Sequence, residues 1–148
     1  MVKEVIDDDI VVDMIQADEG YSEIIYQDTL GNLTVGYGTL LREGVKVPGA
    51  ALEIMFRYKL AESVAYYNSL GLKLSGPRRA VIISMLYQLG YKGVKGFKNM
   101  LYALYAGDYE DAAKHMLDSK WAMCDTPERA ERLAEIMRSG KMTDPTDE

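Results

Sequence analysis

A chain of 148 residues, 48% hydrophobic and 27% charged, has the size and balance of a single globular domain with a sizeable core. No apolar run approaches the roughly 18 residues of a membrane span, and one cysteine, Cys124, excludes an internal disulfide and any multi-cysteine metal site. Of the net charge of -6, residues 1–9 carry -3 and residues 141–148 carry -2, which leaves a nearly neutral body and no basic footprint for nucleic acid.

The first predicted element is a helix through "IVVDMIQADEG". Asp7, Asp8 and Asp9 supply acids for its cap and first turn, Ile10, Val11, Met14 and Ile15 share one face, and Gly20 stops it. "SEIIYQDTLGNLTVGYG" then places β-branched and aromatic residues on either side of Gly31-Asn32, and Gly36 and Gly38 close the second arm. That is a β-hairpin, with a short third strand or loop expected near residues 41–47.

After Pro48 a long helix is expected, with a stripe of Leu52, Met55, Phe56, Leu60, Val64, Tyr67 and Leu70 ended by Gly71. At about 1.5 Å per residue it would exceed ~30 Å, long enough to join two lobes. "SGPRRAVIISMLYQLG" is the core helix, capped by Ser75, started by Pro77, stopped by Gly90 and apolar nearly all round. Three shorter helices follow: one ending at Gly107, one starting on Asp108, and one with Thr126 as cap, Pro127 at its first position and Gly140 after its end. Residues 141–148 read as a flexible tail.

Glu19 lies at the end of the first helix, where the partial negative charge disfavours a second one and favours the protonated acid that a leaving oxygen needs. Asp28 sits on the first arm of the hairpin and Thr34 on the second. The turn between them can bring a carboxylate and a hydroxyl together, a pair able to hold and orient one water. Spacing alone leaves open whether these are three solvated polar residues or one reacting group.

The flanking blocks "DEG", "Y-x-D-T-x-G", "LTVGYG", "PRRAVIISMLYQLG", "GVKGFKNM", "DAAKHMLDSKW" and "TPERAERL" are collinear over residues 10–142, and together they resemble the phage-type lysozymes. The resemblance implies an α+β, lysozyme-like fold. A hairpin lobe with its linking helix would span about residues 18–60, and a helical lobe would take residues 1–17 and 72–140, around a cleft. It implies that Glu19 is the general acid, and that Asp28 stabilises the oxocarbenium-like transition state and positions water with Thr34. Arg129 matches a family arginine that pairs with the catalytic glutamate, which would oppose the helix-end effect.

Leu40, Tyr87 and His115 align with substrate-binding positions, as does Met100, and Gln88 and Trp121 fall in matching blocks. Core packing is the competing reading for Tyr87 and Trp121. His115, the only histidine, lacks partners for a metal site, so an exposed or cleft-rim position is expected. Thr39 stands where a histidine follows Gly-x-Gly in the family.

The implied activity is a muramidase that hydrolyses, with inversion, the β-1,4 bond between N-acetylmuramic acid and N-acetylglucosamine. It needs no cofactor or metal, and its partner is bacterial peptidoglycan. The acidic start "MVKEVIDDDI" is no secretory signal, so an endolysin that collects in the host cytoplasm is expected. It would reach the periplasm and wall through a holin that it need not touch, as a monomer without stable membrane association. The alternatives are a lytic transglycosylase and a wall-binding protein without turnover.

Overall fold

The structure, a computed structural model, describes residues 9–142. The chain divides into two compact units, Met1–Pro48 and Gly49–Glu148. Asp7, Asp8 and residues 143–148 of the expected tail lie outside the described residues.

The first unit opens with helix α1, Asp9–Glu19, whose first turn carries Asp9 and none of whose residues is buried. The helix closes where Gly20, at φ +69°, donates its N–H to the Gln16 carbonyl at 3.0 Å. A positive φ there costs glycine nothing and would strain any other residue. Strands β1 (Ser22–Gln27), β2 (Leu33–Gly36) and β3 (Thr39–Leu40) form an antiparallel sheet in that order. Tyr26 pairs with Thr34 and Gln27 with Leu33, and the ladder slips between Ser22 and Tyr26. At the slip the Ser22 hydroxyl donates to the Ile24 carbonyl at 2.6 Å and accepts the Ile24 N–H at 3.1 Å.

The third strand comes earlier than residues 41–47. Gly36 and Gly38, at φ +65° and +72°, reverse the chain around Tyr37, so Thr39 and Leu40 pair at once with Val35 and Thr34. Leu41 extends the ladder by one bond, donating to the Leu33 carbonyl at 2.8 Å.

The second unit begins with helix α2, Gly49–Ser69. Its predicted stripe is used only in part. Tyr67 and the following Leu70 are buried and Leu60 and Val64 pack on the core, while Leu52, Met55 and Phe56 are exposed. Helix α3, Gly76–Lys95, carries the centre of the core through Val81, Ile82, Ile83, Met85 and Leu86. Gly90 does stop regular helix, at φ +76° and ψ 171°, but helical turns resume beyond it to Lys95. Ser75 occupies the cap position through its backbone, its carbonyl accepting the Arg79 N–H at 2.7 Å, and its hydroxyl makes no capping bond.

Helices α4 (Lys98–Tyr105), α5 (Tyr109–Leu117) and α6 (Pro127–Ser139) pack in series, α4 on α5 and α5 on α6, and α6 packs on α3. Asp108 caps α5 as its sequence predicts, its side chain accepting the Asp111 N–H at 3.0 Å. Four methionines, Met85, Met100, Met116 and Met137, are fully buried, their unbranched side chains filling the gaps between short helices. Each such burial contributes about 1.5–3 kcal/mol. Met100 is therefore a core residue and not a polar contact.

Between α5 and α6 the chain makes a π-helical turn, Trp121–Asp125, that local sequence patterns do not announce. Thr126 holds the cap position of α6, yet its hydroxyl accepts from the Gln88 amide at 3.2 Å instead of from its own helix. Gln88 also accepts the Trp121 indole N–H at 3.0 Å, so one half-buried amide ties α3 to the π-turn and to the start of α6.

The far end of α6 is held by Arg78 from the first turn of α3. Its guanidinium donates to the carbonyls of Met137 at 2.8 Å and Arg138 at 3.1 Å, and stacks 3.7 Å over the Tyr109 ring. A cation suits the negative end of the helix dipole. Gly140 leaves room for it, since a Cβ there would meet the guanidinium carbon at 2.9 Å.

Candidate active site

Glu19, Asp28, Thr34 and Leu40 all belong to the first unit. Glu19 is the last residue of α1 and is exposed. Its carboxyl lies against Gly38 in the β2–β3 turn: a Cβ at Gly38 would overlap Glu19 Oε2 and stand 2.9 Å from Glu19 Cδ. The glycine therefore serves two ends, the positive φ of the turn and the close approach of the acid.

Asp28 opens the hairpin turn. Its Oδ1 accepts the backbone N–H groups of Leu30 at 2.9 Å and Asn32 at 2.8 Å, and its Oδ2 accepts the Asn32 amide at 3.3 Å. The Asn32 N–H foremost, with those of Leu30 and Gly31 and the Asn32 amide, holds the carboxyl below the usual carboxylate range, against a smaller opposing effect of desolvation. Asp28 is thus a fixed anion at neutral pH.

A folded-state value below the unfolded one stabilises the hairpin above the unfolded value, and that contribution is lost as pH falls through the lowered value. Carboxyl-carbon NMR titration should place the Asp28 midpoint below that of free aspartate. A midpoint at or above free aspartate would contradict the turn's hold on it.

Thr34 is 2% exposed, and its hydroxyl donates to the Asn32 carbonyl at 3.0 Å. Its proton is therefore committed, and what it offers a water is an acceptor lone pair. Asn32 joins the two: its N–H and amide serve Asp28, and its carbonyl serves Thr34. The sequence marks Asn32 only as a turn residue, and its bridging part emerges from the bonds. Leu40 is half-buried on β3 and pairs with Thr34, while Thr39 is exposed opposite Val35.

In the second unit, Tyr87 and Arg129 line one groove of about 500 Å³ with Phe56, Leu60 and Ile83. Tyr87 packs its ring on Phe56 at 5.7 Å and under the Lys59 ammonium at 4.4 Å. His115 lines a different cavity, together with Trp121. Trp121 is 3% exposed and belongs to the core as well as to that wall. Among the described residues no group of three or more His, Cys, Asp or Glu could hold a metal ion.

Comparison with known proteins points one way. A family model described as phage lysozyme matches residues 16–135. The probable T4-type lysozyme 1 of Dictyostelium discoideum is 26% identical, with 89% of this chain and 95% of that protein aligned. A second Dictyostelium protein, probable T4-type lysozyme 2, is 23% identical over 88% of this chain and 94% of its own. The pre-baseplate central spike protein Gp5 of Enterobacteria phage T4 is 28% identical over 89% of this chain, which spans 28% of that protein.

Proposed function

The chain belongs to the phage lysozyme family, and from that premise we infer that it is a peptidoglycan muramidase in which Glu19, Asp28 and Thr34 carry the reaction. The observation that carries this reading is the joint at Asn32, which presents an ionised carboxylate and a hydroxyl acceptor on one turn of the unit that also positions Glu19.

Glu19 gives its proton to the glycosidic oxygen as the bond from that oxygen to the anomeric carbon breaks. A water whose two protons point at Asp28 and Thr34 turns its lone pair to the opposite face and forms the new bond. One water proton passes to Asp28, and exchange through solvent restores both carboxyls. Attack from the opposite face inverts the anomeric centre. An Asp28 held as an anion also stabilises the positive charge that develops on the sugar. Arg129 as support and Leu40, Tyr87 and His115 as substrate-binding residues enter the proposal in the roles that the family pattern gives them.

The biological reading is an endolysin of host lysis, accumulating in the cytoplasm and admitted to the wall by a holin. Among the described residues no helix is long and apolar enough to cross a membrane. Similarity to a spike protein favours a second setting, a lysozyme carried on the virion. Mass spectrometry of purified virions decides between the two settings.

Muropeptide mass spectrometry tests the chemistry. A hydrolase leaves reducing N-acetylmuramic acid ends; 1,6-anhydro ends would establish a lytic transglycosylase instead. No cleavage at all would leave a wall-binding protein.

A further inference from the structure

Two tyrosine rings flank Glu19 in the first unit. Tyr21 follows it by two residues, just past the Gly20 stop of α1, and Tyr37 is the one side chain on the reversal between Gly36 and Gly38. The Glu19 carboxyl lies against Gly38, the neighbour of Tyr37 in the chain. The end of α1 and the reversal therefore meet at the acid, and each brings one ring. The rings pack on each other, their centroids 4.8 Å apart and their planes at 44°.

Such a pair ordinarily contributes its large apolar area to a core or an interface. Here Tyr21 stays 61% exposed and Tyr37 45%. A single exposed ring needs no explanation, but two rings that are packed together and still open to solvent make a surface. That surface is held from both sides. The Tyr21 hydroxyl donates to Glu23 Oε1 at 3.1 Å, and the positive φ of Gly36 and Gly38 fixes the backbone on either side of Tyr37. Rings so held lose little freedom when something binds them.

We propose that Tyr21 and Tyr37 are a stacking platform for the sugar on the leaving side of the scissile bond, an N-acetylglucosamine. The inference rests on the reading of the chain as a muramidase. Glu19 protonates the oxygen that departs with that sugar, and both rings stand on the segments that meet at Glu19. Thr34, which holds the water with Asp28, pairs with Tyr26, whereas the platform lies toward the other end of β2, where Gly36 pairs with Ser22 beside Tyr21.

The chemistry of the sugar fits the rings. A pyranose with equatorial substituents turns its axial C–H bonds to its faces, and these suit the electron-rich face of an aromatic ring. Of the two sugars of the glycan, N-acetylglucosamine lacks the lactyl ether that bears the peptide, so its faces are the less obstructed.

The probe is the soluble wall tetrasaccharide that alternates the two sugars and bears its peptides. In Glu19→Gln, which holds the glycan without turning it over, the ring-carbon NMR signals of Tyr21 and Tyr37 should shift on titration. Those of Tyr102, exposed in the second unit, should stay in place. This readout needs no change at either tyrosine. In the active enzyme Tyr21→Ala and Tyr37→Ala should each raise KM about tenfold, the lower end of what burial of an aromatic ring contributes, and leave kcat nearly unchanged. Tyr37→Phe keeps the ring and should keep KM, while Tyr37→Leu keeps apolar bulk without the flat face and should lose most of the effect. Unmoved ring signals, an unchanged KM in both alanine variants, or a Tyr37→Phe as weak as Tyr37→Ala would overturn the proposal. So would a lower kcat and unfolding midpoint at unchanged KM, which would make the pair mere packing of the reversal. Cleavage by wild type with unmoved ring signals would sink the platform alone. Shifted ring signals without cleavage by wild type would uphold the platform and sink the hydrolase reading.

Discussion

Gly38→Ala should lose about a hundredfold or more in wall-clearing rate, the cost of moving a reacting group by about an ångström. The new methyl would occupy the place of Glu19 Oε2 and press on Cδ at 2.9 Å and Cβ at 3.4 Å. The carboxyl is the loose end of a side chain, so it would swing away and the fold would survive. The backbone would also be strained, because an alanine at φ +72° costs about 1–2 kcal/mol.

Gly36 separates these two effects. It sits at φ +65°, but a Cβ there meets nothing within 4 Å. Gly36→Ala should therefore show a similar loss of stability by denaturant titration while keeping most of its activity. Equal loss of activity in both variants would assign the effect to strain and remove Gly38 from the positioning of Glu19.

Glu19→Gln should have the largest effect on rate. The amide keeps the size of the side chain and cannot deliver a proton, and general acid catalysis contributes about 10²–10⁴-fold. Clearing of outer-membrane-permeabilised cells should fall by that range, with the unfolding midpoint unchanged, because Glu19 is exposed at the end of its helix. If wild type and Glu19→Gln clear equally, Glu19 is not the acid and the mechanism given above is wrong.

Much of the first unit was legible because its signals are local. Gly20 ends α1, Gly31-Asn32 turns the hairpin, and both act through the φ of a single residue or a bond a few residues long. Residues 41–47 are loop, one of the two alternatives expected there, and the third strand precedes them because Gly36-Tyr37-Gly38, which reads as the end of a strand, is a reversal made by two positive φ values. The part played by Asn32 was hidden for a different reason: a turn asparagine and a bridging asparagine look alike until the bonds are known.

In the second unit the stripe on α2 has helical spacing throughout, yet only its later turns are packed, and periodicity does not say how far along a helix the partner extends. Ser75 and Thr126 stand where caps belong, but their hydroxyls make no capping bond, and that of Thr126 is taken by Gln88, distant in sequence. The π-turn carries one end of the same Gln88–Trp121 contact and has no local signature.

The hold of Arg78 on the last turn of α6 also bears on how the second unit is strung. One side chain joins the entrance of α3 to the exit of α6, two points that are 60 residues apart in the chain. The stack from α3 to α6 is thereby a closed circuit, whose two ends lie within the reach of a single guanidinium. A permuted chain that joined the end of α6 to the start of α3 through a short linker would keep the bonds of Arg78, but it would have to supply α2, whose Tyr67 shares the core, from another point in the chain.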